Sequence, residues 1–383
     1  MPISVCLNLR HTLSQQISRA SFAQSMKIQR GLVLTRRKLI QLSSVIAVTT
    51  PFLWFSTRKT HAAIDLPEIR PARRPFGRVL SSSAIIRELP SIKSVEVRRL
   101  KFNNVVAILG QTISADSPTK YNQIWYQVED GYLHSSLVQP CENTENRAET
   151  NVGNGFWGEV TVPLVAVRNA ASAEARRIYP TYFGCVFRVL EHLNGPDSTA
   201  WYRISDGILS TLFVPAESMR RIQTSELSPL SPRVSLEHKR IDVDLVTQMA
   251  TAYEYDEPVF SARVATGKSF FRADSTVVSY ATTKGDFRIF EKRPSRRMIG
   301  GPAGDSSSYY LPGIGWVSYF TRSRIAFHST YWHNDFGSPR SHGCVNMLPE
   351  DALWVYRWTL PNAADETVKL TGQGETGSLV RVL

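Results

Sequence analysis

The stretch that decides the fold of this chain lies at residues 325–347 and reads Ile-Ala-Phe-His-Ser-Thr-Tyr-Trp-His-Asn-Asp-Phe-Gly-Ser-Pro-Arg-Ser-His-Gly-Cys-Val-Asn-Met. It contains one of the four cysteines, Cys344, and three of the eight histidines, at 328, 333 and 342. A cysteine is a strong nucleophile only as the thiolate, so a catalytic cysteine needs an imidazole nearby to take its proton. Gly343 allows a sharp turn beside the thiol because it has no Cβ. The stretch therefore predicts a nucleophilic cysteine site.

The spacing of these residues resembles the catalytic motif of the L,D-transpeptidases of bacterial cell walls, the YkuD-type domain. That motif has His-Gly or His-Ser, a variable loop, and then Ser/Thr-His-Gly-Cys. The matching segments here are His328-Ser329 and Ser341-His342-Gly343-Cys344-Val345-Asn346. The sixteen positions between His328 and Cys344 (344 − 328) suit the family. Asn346 stands where the family more often has arginine.

The resemblance implies a role for each residue of the motif. Cys344 would be the nucleophile and His328 the general base, with the backbone carbonyl of Ser329 orienting the imidazole, as the carboxylate does in a catalytic triad. His342 would be structural or would assist the base. The backbone N–H groups of Gly343 and Cys344 would stabilise the oxyanion.

The residues around the motif are candidates for substrate binding. They are Tyr319, whose hydroxyl is a further oxyanion candidate, Trp332, His333, Arg340 and Asn346. Arg340 would hold a substrate carboxylate, or would simply extend into solvent from its loop. Asn346 would shape the cysteine loop by hydrogen bonding.

A zinc site is the alternative interpretation of the same side chains, since His328, His333, His342 and Cys344 are all competent ligands. Their spacings match no compact Cys-x-x-Cys or His-x-x-x-His arrangement, and the transpeptidase motif accounts for them better. We therefore expect no metal, nucleotide or other cofactor.

The net charge of +12 is concentrated at the N-terminus. Residues 1–63 contain nine Lys or Arg and no Asp or Glu, which leaves 36 basic (45 − 9) against 33 acidic residues in the rest. A nucleic-acid surface needs basic residues clustered on the folded domain. The composition therefore argues against a nucleic-acid partner.

The basic leader at residues 1–63 resembles a twin-arginine (Tat) export signal. Arg36-Arg37 precedes an uncharged apolar run at 39–55. Ala62-Ala63 follows as a candidate cleavage site of small residues. The alternative is a retained membrane anchor through 39–55, a run of 17 residues at the short limit for spanning. Either interpretation predicts an extracytoplasmic protein, secreted, wall-associated or anchored facing outward.

Two internal regions repeat each other after a linker at 64–75. Residues 76–140 and 155–222 have short β-type runs, and Trp-Tyr-x-x-x-Asp-Gly recurs at 125–131 and 201–207, an offset of 76. The regions resemble tandem bacterial SH3-like modules. Trp125 and Trp201 would either stack on glycan or peptide or belong to the module cores. Cys141 and Cys185 would either form a disulfide or stay as two buried thiols.

The last region, residues 238–372, is expected to be the catalytic domain. Its alternating strand pattern begins at Ile241, and Pro349-Glu350-Asp351 is typical of a helix start. The predicted fold class is mainly β, with two small SH3-like barrels followed by a β-sandwich catalytic domain with a short helix. By resemblance, the enzyme would cross-link peptidoglycan stem peptides, donor and acceptor, with release of D-Ala. A water acceptor would make it an L,D-carboxypeptidase and a protein amine an anchoring transpeptidase; the more distant alternative is a non-catalytic wall-binding protein.

Overall fold

The computed structural model describes residues 69–383 except 120, 272–275, 302–307, 364–367 and 370–376. The predicted leader at 1–63 and the first part of the linker lie outside the described residues. Within the described part of the chain, no helix is long and apolar enough to cross a membrane. The described residues belong to one compact unit.

The first module consists of eight short strands and a 3₁₀ turn. They are β1 (Phe76–Val79), β2 (Ala84–Arg87), β3 (Glu96–Leu100), β4 (Val105–Ala107), β5 (Gly110–Ile113), β6 (Ile124–Val128), β7 (Gly131–His134), the turn Ser135–Leu137 and β8 (Val138–Cys141). The β6–β7 pair is a tight hairpin, with Val128 opposite Gly131. This hairpin places Asp130 and Gly131 of the repeated Trp-Tyr-x-x-x-Asp-Gly pattern at the turn between two strands.

The second module repeats this order of elements. Its strands are β9 (Phe156–Val160), β10 (Leu164–Arg168), β11 (Arg177–Tyr182), β12 (Val186–Asn194), β13 (Ala200–Ser205), β14 (Leu212–Pro215) and, after the 3₁₀ turn Ala216–Ser218, β15 (Met219–Arg221). The long β12 takes the place of β4 and β5. The loop that contains Asp206-Gly207 is longer than its counterpart, because Ile204 pairs with Leu212.

Strand pairing agrees with the internal repeat. The first module has the sheet orders β3-β2-β7-β6-β5 and β4-β1-β8, and the second has one order, β11-β10-β14-β13-β12-β9-β15, which is the same sequence of equivalent strands. These pairings leave the sheets open among the described residues. The mainly β character is confirmed, and the closed SH3-like barrel stays a prediction.

The C-terminal region contains two five-stranded sheets, a two-stranded ribbon and one α-helix. The elements are β16 (Lys239–Asp244), β17 (Met249–Glu254), β18 (Glu257–Arg263), β19 (Ser269–Phe271), β20 (Val277–Ser279), β21 (Gly285–Arg288), β22 (Glu291–Gly300), β23 (Tyr309–Tyr319), β24 (Ala326–Ser329), β25 (Val345–Met347), α1 (Pro349–Trp358), β26 (Val368–Lys369) and β27 (Leu379–Val382). The short 3₁₀ turns Thr224–Leu227 and Leu236–His238 precede β16.

The two five-stranded sheets share one apolar core with the helix. Their orders are β18-β17-β16-β27-β21 and β25-β24-β23-β22-β26. Strand β16 alternates as predicted, because Ile241 and Val243 are buried while the intervening aspartates are partly exposed. Val380 of β27, Phe327 of β24 and Tyr356 of α1 meet in the same buried cluster. Strand β27 pairs in parallel with β16, a pairing that the sequence did not indicate.

Helix α1 begins and ends for identifiable reasons. Pro349 occupies its first turn with Glu350 and Asp351, where acidic side chains interact favourably with the helix dipole. At the other end the buried Lys292 donates hydrogen bonds to the carbonyls of residues 356, 359 and 361. These bonds satisfy carbonyl groups that have no partner within the helix.

The alternatives left open for the modules are decided by burial. Trp125 and Trp201 are each 1% exposed, so neither offers a face for stacking, and the core interpretation is confirmed. Cys141 and Cys185 are buried free thiols, so the disulfide interpretation is wrong.

Candidate active site

Three neighbouring strands position the candidate catalytic pair. Strand β24 lies between β23 and β25, and all four of its residues are buried. It carries His328, which lies opposite Asn346 in the parallel pairing of β24 with β25. Cys344 immediately precedes β25. Because Phe327 lies opposite Val345, Cys344 is one position before that pair and His328 one position after it, on adjacent strands.

A tight turn at 341–344 presents the thiol. Gly343 has φ +113°, a conformation that residues with a Cβ rarely adopt. Within the turn, Ser341 Oγ accepts a hydrogen bond from the Gly343 N–H (3.0 Å) and donates one to the Cys344 carbonyl (2.5 Å). From outside, Thr282 Oγ1 donates to the Gly343 carbonyl at 2.8 Å and accepts from the Gly267 N–H at 2.9 Å. The turn is therefore held by side chains on both sides.

His328 is oriented as a base. Its Nδ1 lies 2.9 Å from the carbonyl oxygen of Ser329. Because a carbonyl only accepts, Nδ1 carries the proton and Nε2 is left with a free lone pair. Burial lowers the pKa of His328 to about 4, so the imidazole is neutral at pH 7. A neutral imidazole with a free Nε2 is competent to accept a proton.

The thiol of Cys344 is also neutral in this structure. Burial raises the pKa of Cys344 to about 11, and a hydrogen bond from the backbone of Ala326 opposes part of that shift. The Sγ atom lies 3.8 Å from the carbonyl oxygen of Arg324. The side chain is nevertheless partly exposed, because it lines a cavity. Before any reaction the pair is thus a neutral thiol and a neutral imidazole. A reaction at Cys344 would require transfer of the thiol proton to the imidazole.

The cavity beside the thiol has a volume of about 490 Å³. It brings together most of the site residues predicted from sequence: Tyr319, His328, Trp332, Arg340, His342, Cys344 and Asn346. The ring of His342 lies between Tyr280 and Tyr309, with ring centroids 4.7 Å and 5.0 Å away. This packing places His342 as a wall of the cavity.

Some predicted site residues lie outside this cavity or already form hydrogen bonds within the chain. The Gly343 N–H is bonded to Ser341 Oγ, so it does not point toward an oxyanion in this conformation. Ser329 is buried behind the base, where its Oγ accepts a hydrogen bond from the Gly315 N–H at 3.0 Å. Arg340 bonds to the buried carboxylate of Asp335, with Nε 2.8 Å from Oδ2. Its guanidinium therefore already has an anionic partner within the chain.

His333 faces a second cavity of about 350 Å³, between the first module and the C-terminal region. Its Nε2 lies 2.9 Å from Nδ2 of Asn346, which lines the cavity beside the thiol. Burial, with a smaller contribution from the positive charge of Arg340, lowers the pKa of His333 to about 3. This histidine therefore supports the wall of the cysteine cavity from behind.

The sequence interpretation missed several residues that line the cavity. Strand β22 contributes Arg296, Arg297, Met298 and Ile299, and Tyr309 and Arg324 come from β23 and the loop that follows it. No local motif marks these residues. They reach the cavity only because β22 and β23 pair over most of their length.

Both modules contact the elements that form the site. The buried Arg78 of the first module donates to the carbonyl of Tyr331 at 2.6 Å, in the loop that follows the base. In the second module, Asp206 accepts a hydrogen bond from Nε of Arg297 at 2.8 Å. Among the described residues, no group of three His, Cys, Asp or Glu is arranged to hold a metal ion.

The C-terminal region is similar in sequence to a known family. Residues 238–381 match the model of the L,D-transpeptidase catalytic domain, YkuD. The chain is also 27% identical over 135 residues, 33% of its length, to YciB of Bacillus subtilis (strain 168), which is provisionally named an L,D-transpeptidase. It spans 63% of the length of that curated relative. The matches support a YkuD-type catalytic domain in this region.

Solved structures give weaker similarity. L,D-transpeptidase 1 of Mycobacterium tuberculosis is 20% identical, with 38% of this chain and 60% of that chain covered and a TM-score of 0.27. An L,D-transpeptidase from Mycobacterium smegmatis is 18% identical, with 64% and 100% covered and a TM-score of 0.30. Scores of this size do not establish a shared fold, so family support rests on the sequence matches.

Proposed function

We propose that this chain is an exported L,D-transpeptidase that cross-links peptidoglycan through an acyl-enzyme on Cys344. One observation carries the proposal: the Cys344 thiol and the His328 imidazole line one cavity, and the Ser329 carbonyl fixes the imidazole with Nε2 unprotonated. A nucleophile, a base and a group that orients the base are the elements of cysteine acyl transfer. The YkuD match at 238–381 supplies the substrate class.

The first half-reaction forms a thioester. His328 Nε2 takes the thiol proton as Sγ attacks the carbonyl carbon at the L-centre of the diamino acid in a donor stem tetrapeptide. The tetrahedral intermediate then collapses, and the C–N bond to the terminal D-Ala breaks. His328 returns its proton to the departing amine. Because the thiol pKa is raised and the imidazole pKa is lowered, this proton moves together with the attack.

The second half-reaction transfers the acyl group. The side-chain amine of an acceptor stem gives a proton to His328 and attacks the thioester. A new amide bond forms, the C–S bond breaks, and Cys344 recovers the proton from His328. The sequence is ping-pong chemistry with one covalent intermediate. It needs no metal, nucleotide or other cofactor.

Oxyanion stabilisation is assigned to Tyr319 together with the backbone N–H of Cys344. The hydroxyl of Tyr319 is buried in the cavity, and burial is the main cause of its raised pKa, so it stays a hydrogen-bond donor at neutral pH. The guanidinium of Arg324 lies 4.1 Å from the centre of the Tyr319 ring. A preorganised donor in a partly water-excluded site contributes strongly to such a transition state.

Intact-protein mass spectrometry tests the proposal directly. The full chain is incubated with a purified disaccharide-tetrapeptide, beside Cys344→Ala, His328→Ala and, as a matched histidine control, His238→Ala on the exposed surface. We expect an adduct of donor-minus-D-Ala mass in the wild type and His238→Ala only. Discharge of the adduct by an added muropeptide amine supports transpeptidation. Discharge by water alone indicates a carboxypeptidase, and no adduct with any stem peptide favours a wall-binding protein.

Export is a separate part of the proposal and rests on the leader sequence. Arg36-Arg37 before the apolar run at 39–55 supports a twin-arginine signal. We expect the double substitution Arg36→Lys, Arg37→Lys to retain the protein in the cytoplasm on cell fractionation. The matched substitution Arg58→Lys should not. Equal export of both variants would argue against a twin-arginine signal.

The two modules are proposed to be SH3-like units that space or bind the wall. Because Trp125 and Trp201 are buried, any wall contact must use other surfaces. Co-sedimentation of full-length Cys344→Ala with insoluble peptidoglycan measures binding without turnover. Sedimentation of the protein supports wall binding, and its absence favours a spacing role alone.

A further inference from the structure

Four arginines line the cavity that contains the cysteine thiol: Arg296, Arg297, Arg324 and Arg340. Three of the four are paired with buried carboxylates of the chain itself. Their partners are Asp206 for Arg297, Glu291 for Arg324 and Asp335 for Arg340, each no more than 1% exposed. Asp206 and Asp335 each largely neutralise one guanidinium, whereas Glu291 is shared by Arg324 and Arg293, so all three cavity arginines have less charge left for a ligand than a guanidinium without a carboxylate partner.

Arg296 differs from the other three. No described carboxylate forms an ion pair or a hydrogen bond with it, although it is half-buried in the wall of the cavity. Its guanidinium carbon lies 6.0 Å from the centre of the Tyr319 ring. Tyr319 and Cys344 line the same cavity as Arg296. Arg296 is therefore an uncompensated cation near the reacting atoms.

The strand geometry explains why adjacent arginines reach one cavity. Arg296 of β22 lies opposite Ile314, but Met298 lies opposite Leu311, so β23 has one extra residue at this point. Such a bulge bends the pair of strands and redirects side chains. In a regular strand, Arg296 and Arg297 would point to opposite faces. Here both side chains line the same cavity, where Arg297 bonds to Asp206 and Arg296 has no carboxylate partner among the described residues.

We propose that Arg296 binds a carboxylate of the donor stem peptide and so makes the enzyme selective for free over amidated donors. The inference rests on the proposed function and adds a specificity-determining residue to it. A guanidinium matches a carboxylate with two parallel hydrogen bonds, and a carboxamide loses the charge and one acceptor. The carboxylate would belong either to the terminal D-Ala or to a side branch of the stem.

Acylation rates with matched donors test the inference and separate these two sources. The full chain and three variants are compared: Arg296→Gln, Arg296→Lys and the control Arg322→Gln. Arg322 is an exposed residue beside the cavity-lining segment 323–325, and its loss changes the net charge equally. The donors are the tetrapeptide with free carboxylates, its C-terminal amide and its side-branch amide. Mass spectrometry gives the second-order rate of adduct formation.

We expect Arg296→Gln to lower the rate with the free donor roughly tenfold, as loss of a charge-assisted hydrogen bond does. Arg296→Lys should keep part of the rate, and Arg322→Gln all of it. In the wild type, one of the two amides should react about tenfold more slowly than the free donor. In Arg296→Gln, that amide and the free donor should react at the same rate. The amide that behaves in this way identifies the carboxylate.

Other outcomes would overturn the inference. An equal loss with all three donors would give Arg296 only a structural role while leaving the transpeptidase proposal intact. An equal loss in Arg322→Gln would show a general effect of positive charge. Equal wild-type rates with all donors would refute selectivity even if Arg296→Gln failed to fold. No wild-type adduct with any donor would overturn the inference together with the proposed function.

Discussion

The carboxylate of Asp206 in the second module holds the guanidinium of Arg297 in the wall of the cavity that contains the Cys344 thiol. Nε of Arg297 lies 2.8 Å from Oδ2 of Asp206, and the hydroxyl of Tyr179 donates to the same oxygen at 2.7 Å. Asp206 is 1% and Arg297 7% exposed. A module that the sequence suggests is an accessory is thus bonded directly to the strand that carries Arg296.

Removing this carboxylate should reduce both stability and activity. Asp206→Asn leaves the buried guanidinium of Arg297 without a charged partner, which costs about 3 kcal/mol. We expect a lower urea midpoint and slower acylation of Cys344, because β22 loses its anchor. Asp197→Asn, a change in an exposed turn of the same module, is the control and should leave both unchanged. Wild-type acylation by a fully folded Asp206→Asn would contradict this coupling.

Thr282 should matter for the geometry of the cysteine turn. Thr282→Val is nearly isosteric but removes the bonds to the Gly343 carbonyl and the Gly267 N–H, at a cost of about 1–3 kcal/mol. We expect slower acylation in addition to the loss of stability. In Thr359→Val a buried bond to the carbonyl of Val355 is lost far from the site, so only stability should fall. Equal acylation rates in the two variants would argue against a positioning role.

The pH dependence of alkylation should report a neutral thiol. Since burial raises the pKa of Cys344 to about 11, the thiolate fraction should grow about tenfold per pH unit through pH 7 to 9.5. Iodoacetamide labelling of the unliganded protein, followed by mass spectrometry, should show this rise without a plateau. Cys344→Ser gives the background from the other three cysteines, Cys6, Cys141 and Cys185. A plateau below pH 8 would indicate a preformed thiolate–imidazolium pair instead.

Acid should destabilise the protein through His328. Its pKa falls from 6.5 to about 4 on folding, so between these values the unfolded chain binds a proton that the folded chain does not. Stability is therefore lost as the pH decreases through this window, by about 3 kcal/mol for complete passage. Urea unfolding at pH 7, 6, 5 and 4 measures the slope, which should be shallower in His328→Asn. An unchanged slope would show that the imidazole is not buried in neutral form.

The arrangement of the candidate site was predictable because its residues are close in the chain. His328, Ser329 and Cys344 belong to one segment, and the expected bond from His328 to the Ser329 carbonyl is present. The helix start at Pro349 was readable for the same reason, since proline and acidic residues act on the first turn locally. The internal repeat was visible because equivalent strands keep equivalent side chains.

The surroundings of the site were not predictable, because they depend on contacts between distant segments. Arg340 was a candidate for binding a ligand, but the fold pairs it with Asp335, and no pattern in the sequence linked Asp206 to Arg297. The parallel pairing of β27 with β16 joins residues more than 130 positions apart. No short-range pattern records such a pairing.

The sequence by itself determined the candidate nucleophile, its candidate base and the turn beside them, because these residues follow one another along the chain. Only the tertiary structure decided the protonation states of the site residues and which charged side chains remain without a partner. Burial makes Cys344 and His328 a neutral pair, and it is a property of the surrounding strands rather than of the motif. Likewise, only the fold shows that the three other arginines of the cavity pair with carboxylates from distant segments, whereas Arg296 does not.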